Sequence, residues 1–283
     1  MIKNVAYFPL QAAGNSGPVM AAMLESLRHA GIRTEENSMA SDAVIIWSVL
    51  WAGRMAKNRE VYQHYRGLDR PVIVIDIGSL RRGTTWKVAI NNITTEGYYG
   101  HTQDLDWGRP ARLGINLGTV HRPGSHVVIA AQNSASLQVQ DLPSMETWIA
   151  QQVAQIRAHT DREIRVRSHP RCRLAISQLP PGITVESPRR VPDTYDSFDM
   201  QFDCHAMVNY NSGPGIQAAI NGVRPVVHSS SLAHPVSVGI HDIEQSYDIN
   251  REQWLVEICH TEYTVEEIRQ GMWLKRLDSY PWF

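Results

Sequence analysis

Apolar positions along the chain fall into short unbroken runs and longer periodic stretches, and the two kinds alternate. Val5 to Leu10 reads as a first strand. A polar loop from Gln11 to Gly17 follows, then an amphipathic helix from about Pro18 to Ala30. Pro18 suits the first helical turn and Gly31 the position just past the end. Ala43 to Leu50 reads as a second buried strand, and Glu60 to Tyr65 as part of a helix. Pro71 to Ile77 is a continuous run rich in Val and Ile, the pattern of a parallel strand covered on both faces. From Asn91 to Pro123 glycines replace periodic apolar positions, so this stretch is expected to be loop-rich, ending in an interdomain linker near Thr119 to Gly124.

The alternation then restarts. His126 to Ala131 is a strand, Gln132 to Gln140 a polar loop, and Ser144 to Ala158 a helix with Ser144 as its N-cap. Glu163 to Arg167 and Ala206 to Asn209 are strands, Pro214 to Asn221 a helix, and Pro225 to His228 a strand. The tail from Arg251 to Leu277 carries helical periodicity. Strands alternating with helices imply a doubly wound sheet. The expected fold class is therefore α/β, with two Rossmann-like doubly wound domains facing a cleft. The expected domains are residues 1–122 and 123–266, with 267–283 a helix returning to the first domain and Tyr280 to Phe283 packed at its end.

Composition narrows the classes. The 283 residues are 43% hydrophobic and 19% charged, which is globular and not disordered. A net charge of -1 excludes a global basic field, so a polyanionic partner would have to use a local patch. The three cysteines, Cys172, Cys204 and Cys259, are far apart and form no CxxC pair, so a reducing compartment is expected. The N-terminus enters a strand at once, and no apolar stretch approaches a membrane span. A soluble cytoplasmic protein without membrane contact is expected (the host cytoplasm, were it phage-encoded).

In open α/β sheets, ligands sit beyond the carboxyl ends of the strands, and four constellations fall there. Asn209 to Val227 runs from a strand through a glycine-rich turn into a short helix. Asn211, Ser212, Gly213 and Gly215 would turn backbone N–H groups and a helix N-terminus toward a phosphate, or form a simple capped turn. Arg165 to Arg171 ends a strand at Ser168-His-Pro; His169 with Arg167 and Arg171 can bind a diphosphate, or form a solvated basic edge. Gly14, Asn15 and Ser16 lie in the first strand-to-helix loop, without a GxGxxG pattern or a P-loop lysine. Asp76 ends an otherwise apolar strand and either caps the next turn or deprotonates an acceptor hydroxyl. Asp104 and Asp106 read as a solvated loop and the histidines lack metal-site spacing, so no metal is expected.

Ser168 to Pro170, then Asn211 to Gly215 and Gly222 to Pro225, resemble the donor-binding half of GT-B glycosyltransferases. Capsular transferases that use activated Kdo, and some bacterial sialyltransferases, show similar His-Pro and Asn-Ser-x-x-Gly features. Ile75 to Ile93, Gly97 to His101 and Arg109 to Gly114 are similar to glycosyltransferase-like proteins of tailed phages, some of which modify DNA. The resemblance implies a metal-independent glycosyltransferase with a UDP- or CMP-linked nucleotide-sugar as co-substrate and no other cofactor. It implies that His169, Arg167, Arg171 and Asn211 to Gly215 hold the donor phosphate, with Gln132 and Ser134 near the nucleotide. Gly14 to Ser16 would close over the sugar, with Asp76 as the base and His169 as its catalytic partner. A phage setting would make hydroxymethylated pyrimidines in double-stranded DNA the acceptor, with Arg81, Arg82, Trp86 and Lys87 supplying phosphate contacts and stacking. A polysaccharide or capsule transferase of Kdo or sialyl type is one alternative, and a non-catalytic nucleotide- or sugar-binding protein another.

Overall fold

The computed structural model describes residues 2–120, 124–200 and 202–281. Its first elements are β1 (Asn4–Tyr7), α1 (Gly17–His29), β2 (Arg33–Glu36), β3 (Ala43–Trp47), α2 (Asn58–Gly67), β4 (Val72–Ile77) and β5 (Thr85–Ile90). Then come α3 (Arg109–Arg112), β6 (His126–Ala130), α4 (Met145–Arg157), β7 (Glu163–Arg167), β8 (Thr184–Glu186), β9 (Ala206–Asn209), α5 (Gly213–Ile220) and β10 (Arg224–Val227). The chain closes with α6 (Glu252–Cys259), β11 (Glu262–Thr264), α7 (Val265–Arg269) and α8 (Met272–Leu277).

Two compact units result, Met1–Asp106 with Glu257–Phe283, and Trp107–Val256. Among the described residues the first holds a six-stranded sheet, ordered β11-β5-β4-β3-β1-β2, and the second a five-stranded sheet, ordered β10-β9-β6-β7-β8. The second sheet is parallel throughout, as are the pairings among β2, β1, β3 and β4. Each unit is a Rossmann-like α/β fold. Strand order reverses between β1 and β3 in the first and between β6 and β9 in the second, and such a reversal opens a crevice at the strands' carboxyl ends.

In the first unit α1 forms because Val19, Met20, Ala22, Met23, Ser26 and Leu27 repeat on one face and are buried. The Trp273 ring of α8 is fully buried in the same core, and its Nε1 donates to Ser26 Oγ at 3.0 Å. Burial of a ring of this size contributes about 3 kcal/mol or more. In the second unit Val127 and Ile129 of β6 face a core shared with Trp148, Ile149 and Val153 of α4, while Val128 and Ala130 face Ala218 of α5. Ser144 caps α4, accepting from Thr147 N at 3.0 Å.

The units divide after residues 106 and 256, not after 122 and 266. The stretch leading to β6 belongs to the second unit, because Gly118 N donates to Ile220 O at 2.8 Å and Arg251 donates to Gly118 O at 2.8 Å. The expected linker includes residues 121–123, which lie outside the described residues. The tail is not continuously helical. Glu262 to Thr264 break away to pair antiparallel with β5, and Gly271 enters α8 at φ +72°. Tyr280 packs on the first core, its ring 5.1 Å from Tyr98 and its hydroxyl accepting from Asn91 Nδ2 at 2.9 Å. Trp282 and Phe283, the rest of the expected aromatic end, lie outside the described residues. Finally, β4 is parallel to β3 but antiparallel to β5, so its apolar run does not mark a fully parallel strand.

Candidate functional site

Four hydrogen-bonding side chains build the crevice of the second unit. Gln132, just past β6, and Asn211, just past β9, straddle the point of strand reversal. Gln132 Oε1 accepts from Asn211 N at 2.8 Å, and Gln132 Nε2 donates to Asn211 Oδ1 at 2.9 Å. Both residues are buried, so these bonds form away from competing water. Below them Asn209 donates to Ala130 O at 3.0 Å and to Ser212 Oγ at 2.9 Å, while its Oδ1 accepts from Ser212 N at 2.8 Å. Ser212 is the N-cap of α5, yet its hydroxyl makes no capping bond into the helix. Within the first turn Pro214 has no N–H and Gly215 N donates to Ser212 O at 3.3 Å, so the Gly213 N–H is the group left to meet an external acceptor, reinforced by the helix dipole. Gly215 is needed for close packing, since a Cβ there would lie 2.7 Å from Val227 Cγ1.

His169 follows β7, on the other side of β6 from β9. Its Nδ1 accepts from Arg171 N at 3.1 Å, which places the ring proton on Nε2. Ser134 Oγ lies 3.4 Å from Cys172 Sγ, so the loop after β6 meets the His169 turn. The structure thus gathers Gln132, Ser134, His169, Asn211, Ser212, Gly213 and Gly215 along one sheet edge. Arg171 is turned to Asp196, with which it forms an ion pair. Arg167 is 5% exposed and lines a separate cavity with Arg165 and Asp199. Both arginines were expected at the donor phosphate; one is committed to a carboxylate and the other lies on a different surface of the sheet.

Asn209, Tyr210, Ser230 and His228 join this edge without having been singled out. Asn211 Nδ2 donates to Ser230 Oγ at 2.9 Å, which lies 2.8 Å from His228 Nδ1. The His228 and Tyr210 rings stack with centroids 4.5 Å apart. The signal for these was weak: a serine run and a histidine after a strand are common in solvated turns.

The first unit gathers charge instead. Ser48, held at φ +63° just past β3, donates to Asp76 Oδ2 at 3.0 Å, and Ile77 N donates to Oδ1 at 2.7 Å. Asp76 sits opposite Lys87 in the antiparallel register of β4 and β5. Burial pushes the Asp76 carboxyl above its ordinary value, opposed by the Ile77 N–H, Lys87 and Ser48. Burial lowers Lys87, against the pull of Glu262 and Asp76. Glu262 is fully buried and accepts from Ser79 N at 2.6 Å, Leu80 N at 3.1 Å and Thr85 Oγ1 at 2.7 Å. Burial raises the Tyr99 hydroxyl well above its usual range, and this hydroxyl finds no hydrogen-bond partner among the described residues.

This cluster corrects the expected acceptor patch. Trp86 and Lys87 are 7% and 6% exposed and lie within β5, flanked by β4 and β11. Trp86 belongs to the hydrophobic core. Arg81 is exposed and Arg82 half-buried, so these two do not share an exposed surface with Trp86 and Lys87. In the first loop Gly14 and Asn15 are exposed, while Ser16 is buried as the N-cap of α1. Asp104 and Asp106 belong to no group of metal-binding side chains among the described residues. No described helix is long and apolar enough to cross a membrane.

No family model matches the chain, and no curated protein matches it. Similar solved structures include the β-Kdo 2,4 transferase KpsC of Thermosulfurimonas dismutans, 13% identical with a TM-score of 0.53, covering 96% of this chain and 98% of that one. A β-Kdo 2,7 transferase KpsC of the same organism is 9% identical with a TM-score of 0.53, covering 98% of this chain and all of that one (100%). At such identities the likeness establishes fold: the chain has the fold of GT-B glycosyltransferases, with two Rossmann-like domains.

Proposed function

We propose that the chain is a glycosyltransferase that moves a sugar from a nucleotide-activated donor to a hydroxyl of a saccharide acceptor. The observation that carries this reading is the lock between Gln132 and Asn211 at the strand reversal of the second unit. It holds the Gly213 N–H at the start of α5 at one side of β6 and His169 at the other. Two strand spacings separate them by roughly 10 Å, a span that a sugar-nucleotide phosphate group with its ribose can bridge. In the transfer, the acceptor oxygen forms a bond to the anomeric carbon while the bond from that carbon to the phosphate oxygen breaks. The electron pair leaves with the nucleotide, whose charge is stabilised by the Gly213 N–H, the α5 dipole and His169 Nε2–H. The acceptor proton passes to a general base, a role for which Asp76 is proposed because its carboxyl is shifted upward.

The acceptor is proposed as a saccharide and not as DNA, because burial of Trp86 and Lys87 removes the surface on which the DNA reading stood. The neighbours named as Kdo transferases agree with a saccharide product. The test begins with thermal shift of the whole chain against CMP, UDP, GDP and ADP. A nucleotide at a hundred times its dissociation constant should stabilise the fold by about 2.7 kcal/mol. The matching sugar donor is then offered with oligosaccharide acceptors and, separately, with duplex DNA containing hydroxymethylated pyrimidines. Absence of any nucleotide shift would remove the donor site. Tight nucleotide binding without transfer to either acceptor would favour a non-catalytic binding protein.

A further inference from the structure

The second unit carries a cavity of about 550 Å3 on the face of β7 opposite Ile164 and Val166, away from the edge that gathers Gln132 and Asn211. Its origin is topological. In a doubly wound sheet a helix normally covers each face, but here β7 joins β8, and β8 joins β9, through segments without an α-helix among the described residues. The segment after β8 folds instead into a short ladder, with Asp199 N donating to Arg189 O and Val191 N to Ser197 O, both at 2.9 Å. That ladder forms a lip and leaves the sheet face beneath it open.

The side chains on this face differ in how they are satisfied. Arg165 is committed to Glu163 through a two-pronged pair at 3.0 and 2.9 Å. Arg167, next along the same face, is 5% exposed and lines the cavity; Asp199 and Glu186 act on its charge, while its buried Nη2 has no hydrogen-bond partner among the described residues. Glu186, opposite Arg167 in the register of β7 and β8, is half-buried, whereas Asp199 and Asp203 are exposed at the mouth. A buried guanidinium without a full set of acceptors is costly. Its planar fork matches an oxyanion, while carboxylates at a cavity mouth accept from hydroxyl groups.

We propose that this cavity is a second binding site, for a small hydroxylated anion whose carboxylate or phosphate group is held by Arg167 and whose hydroxyls face Glu186 and Asp199. The proposal does not rest on the glycosyltransferase reading. It shares no residue with the α5 edge.

Calorimetric titration of the whole chain tests it with D-glucuronate, D-glucose 6-phosphate, inorganic phosphate and neutral D-glucose. The two hydroxylated anions should bind, inorganic phosphate more weakly, and glucose not at all. Preference between glucuronate and glucose 6-phosphate tells carboxylate from phosphate. In Arg167→Met, affinity for the anions should fall by about tenfold or more, the weight of a hydrogen bond to a charged group. The melting temperature of the ligand-free variant should stay about level, since methionine keeps the packed stem, the loss of attraction to Asp199 and Glu186 is offset by removing a buried charge, and both carboxylates reach water. Nucleotide affinity should be unchanged in the same variant. Three results would each overturn the proposal: no anion binding to the parent protein, anion binding that survives Arg167→Met, or a marked fall in melting temperature for that variant, which would make Arg167 a structural side chain.

Discussion

The two units gather polar groups of opposite chemistry, the second around the carboxyl ends of β6 and β9, the first within the ladder of β4, β5 and β11. In the second unit the groups are neutral: Gln132, Asn209, Asn211 and Ser212 exchange amide and hydroxyl hydrogen bonds around the start of α5. In the first they are ionisable: Asp76, Lys87 and Glu262 stand on β4, β5 and β11, and Tyr99 feels the charge of Glu262 and Asp76. Neutral amides hold a shape at any ordinary pH and leave charge recognition to the helix dipole. Buried ionisable groups instead couple their protonation to one another and to stability. The first arrangement suits holding an anion and the second suits moving a proton.

The sharpest way to break the comparison is to remove the acceptor on which the charged cluster depends. Glu262→Ala takes three hydrogen-bond acceptor contacts from Ser79, Leu80 and Thr85 and leaves Lys87 beside one carboxylate fewer. The expected loss is about 3–5 kcal/mol in urea-unfolding stability. A loss below about 1 kcal/mol would mean that water replaces the carboxylate and that the cluster is not truly buried. The corresponding change in the second unit is Asn211→Ala. It should cost about 1–3 kcal/mol by stranding Gln132, and should weaken nucleotide binding at least about tenfold. Unchanged nucleotide affinity would separate the amide lock from the donor site.

Asp76→Asn sharpens the contrast through pH. The folded carboxyl of Asp76 is raised, so between its ordinary and its folded value the native state holds more proton than the unfolded chain. Its contribution is therefore favourable at low pH and is lost as pH rises through that window. The asparagine variant should lack this downward slope and be at least as stable as the parent near neutrality, while transferring no sugar. Chemical unfolding at several pH values measures the slope. A parent protein whose stability is flat above the carboxylate range would show that Lys87 and Ser48 cancel the burial of Asp76.

The sequence exposed these two regions unequally, for physical reasons. The second sheet was legible nearly strand by strand, because β6, β7, β9 and β10 are compact runs bounded by turn residues, and Asn209 to Gly215 sits where a strand feeds a helix. Only β8, three residues long, carried too little pattern. In the first sheet β5 was hidden because Lys87 interrupts its apolar run, and a buried lysine is readable only once Asp76 and Glu262 are known to surround it. β11 was hidden inside apolar spacing that also fits a helix, and β2, reading Arg-Thr-Glu-Glu, is an edge strand with little to bury. The same blindness produced the expected DNA patch: Arg81, Arg82, Trp86 and Lys87 are close in sequence, but Thr85 to Ile90 are all buried in the sheet. Arg167 was legible as important and not as belonging elsewhere, since the alternation of a strand sends neighbouring side chains to opposite faces.

The smallest expected effect concerns one of the charged pairs of the second unit. Arg162 grips Glu244 at 2.7 and 2.9 Å, and Thr160 donates to the same carboxylate at 2.5 Å. The Arg162 hydrogen bond is the leading cause that pulls Glu244 down to about 2. Here the sign is opposite to that of Asp76: the folded value is depressed, so the contribution is present above the ordinary carboxylate range and is lost as pH falls toward about 2. Its size is limited, because the Glu244 side chain is 40% exposed and water screens the pair. Glu244→Gln should therefore cost only about 0.5–1 kcal/mol at pH 7. The gap between parent and variant should narrow with added salt and close as the medium is acidified. A gap of several kcal/mol that ignored both salt and pH would mean that Glu244 acts through packing and not through its charge.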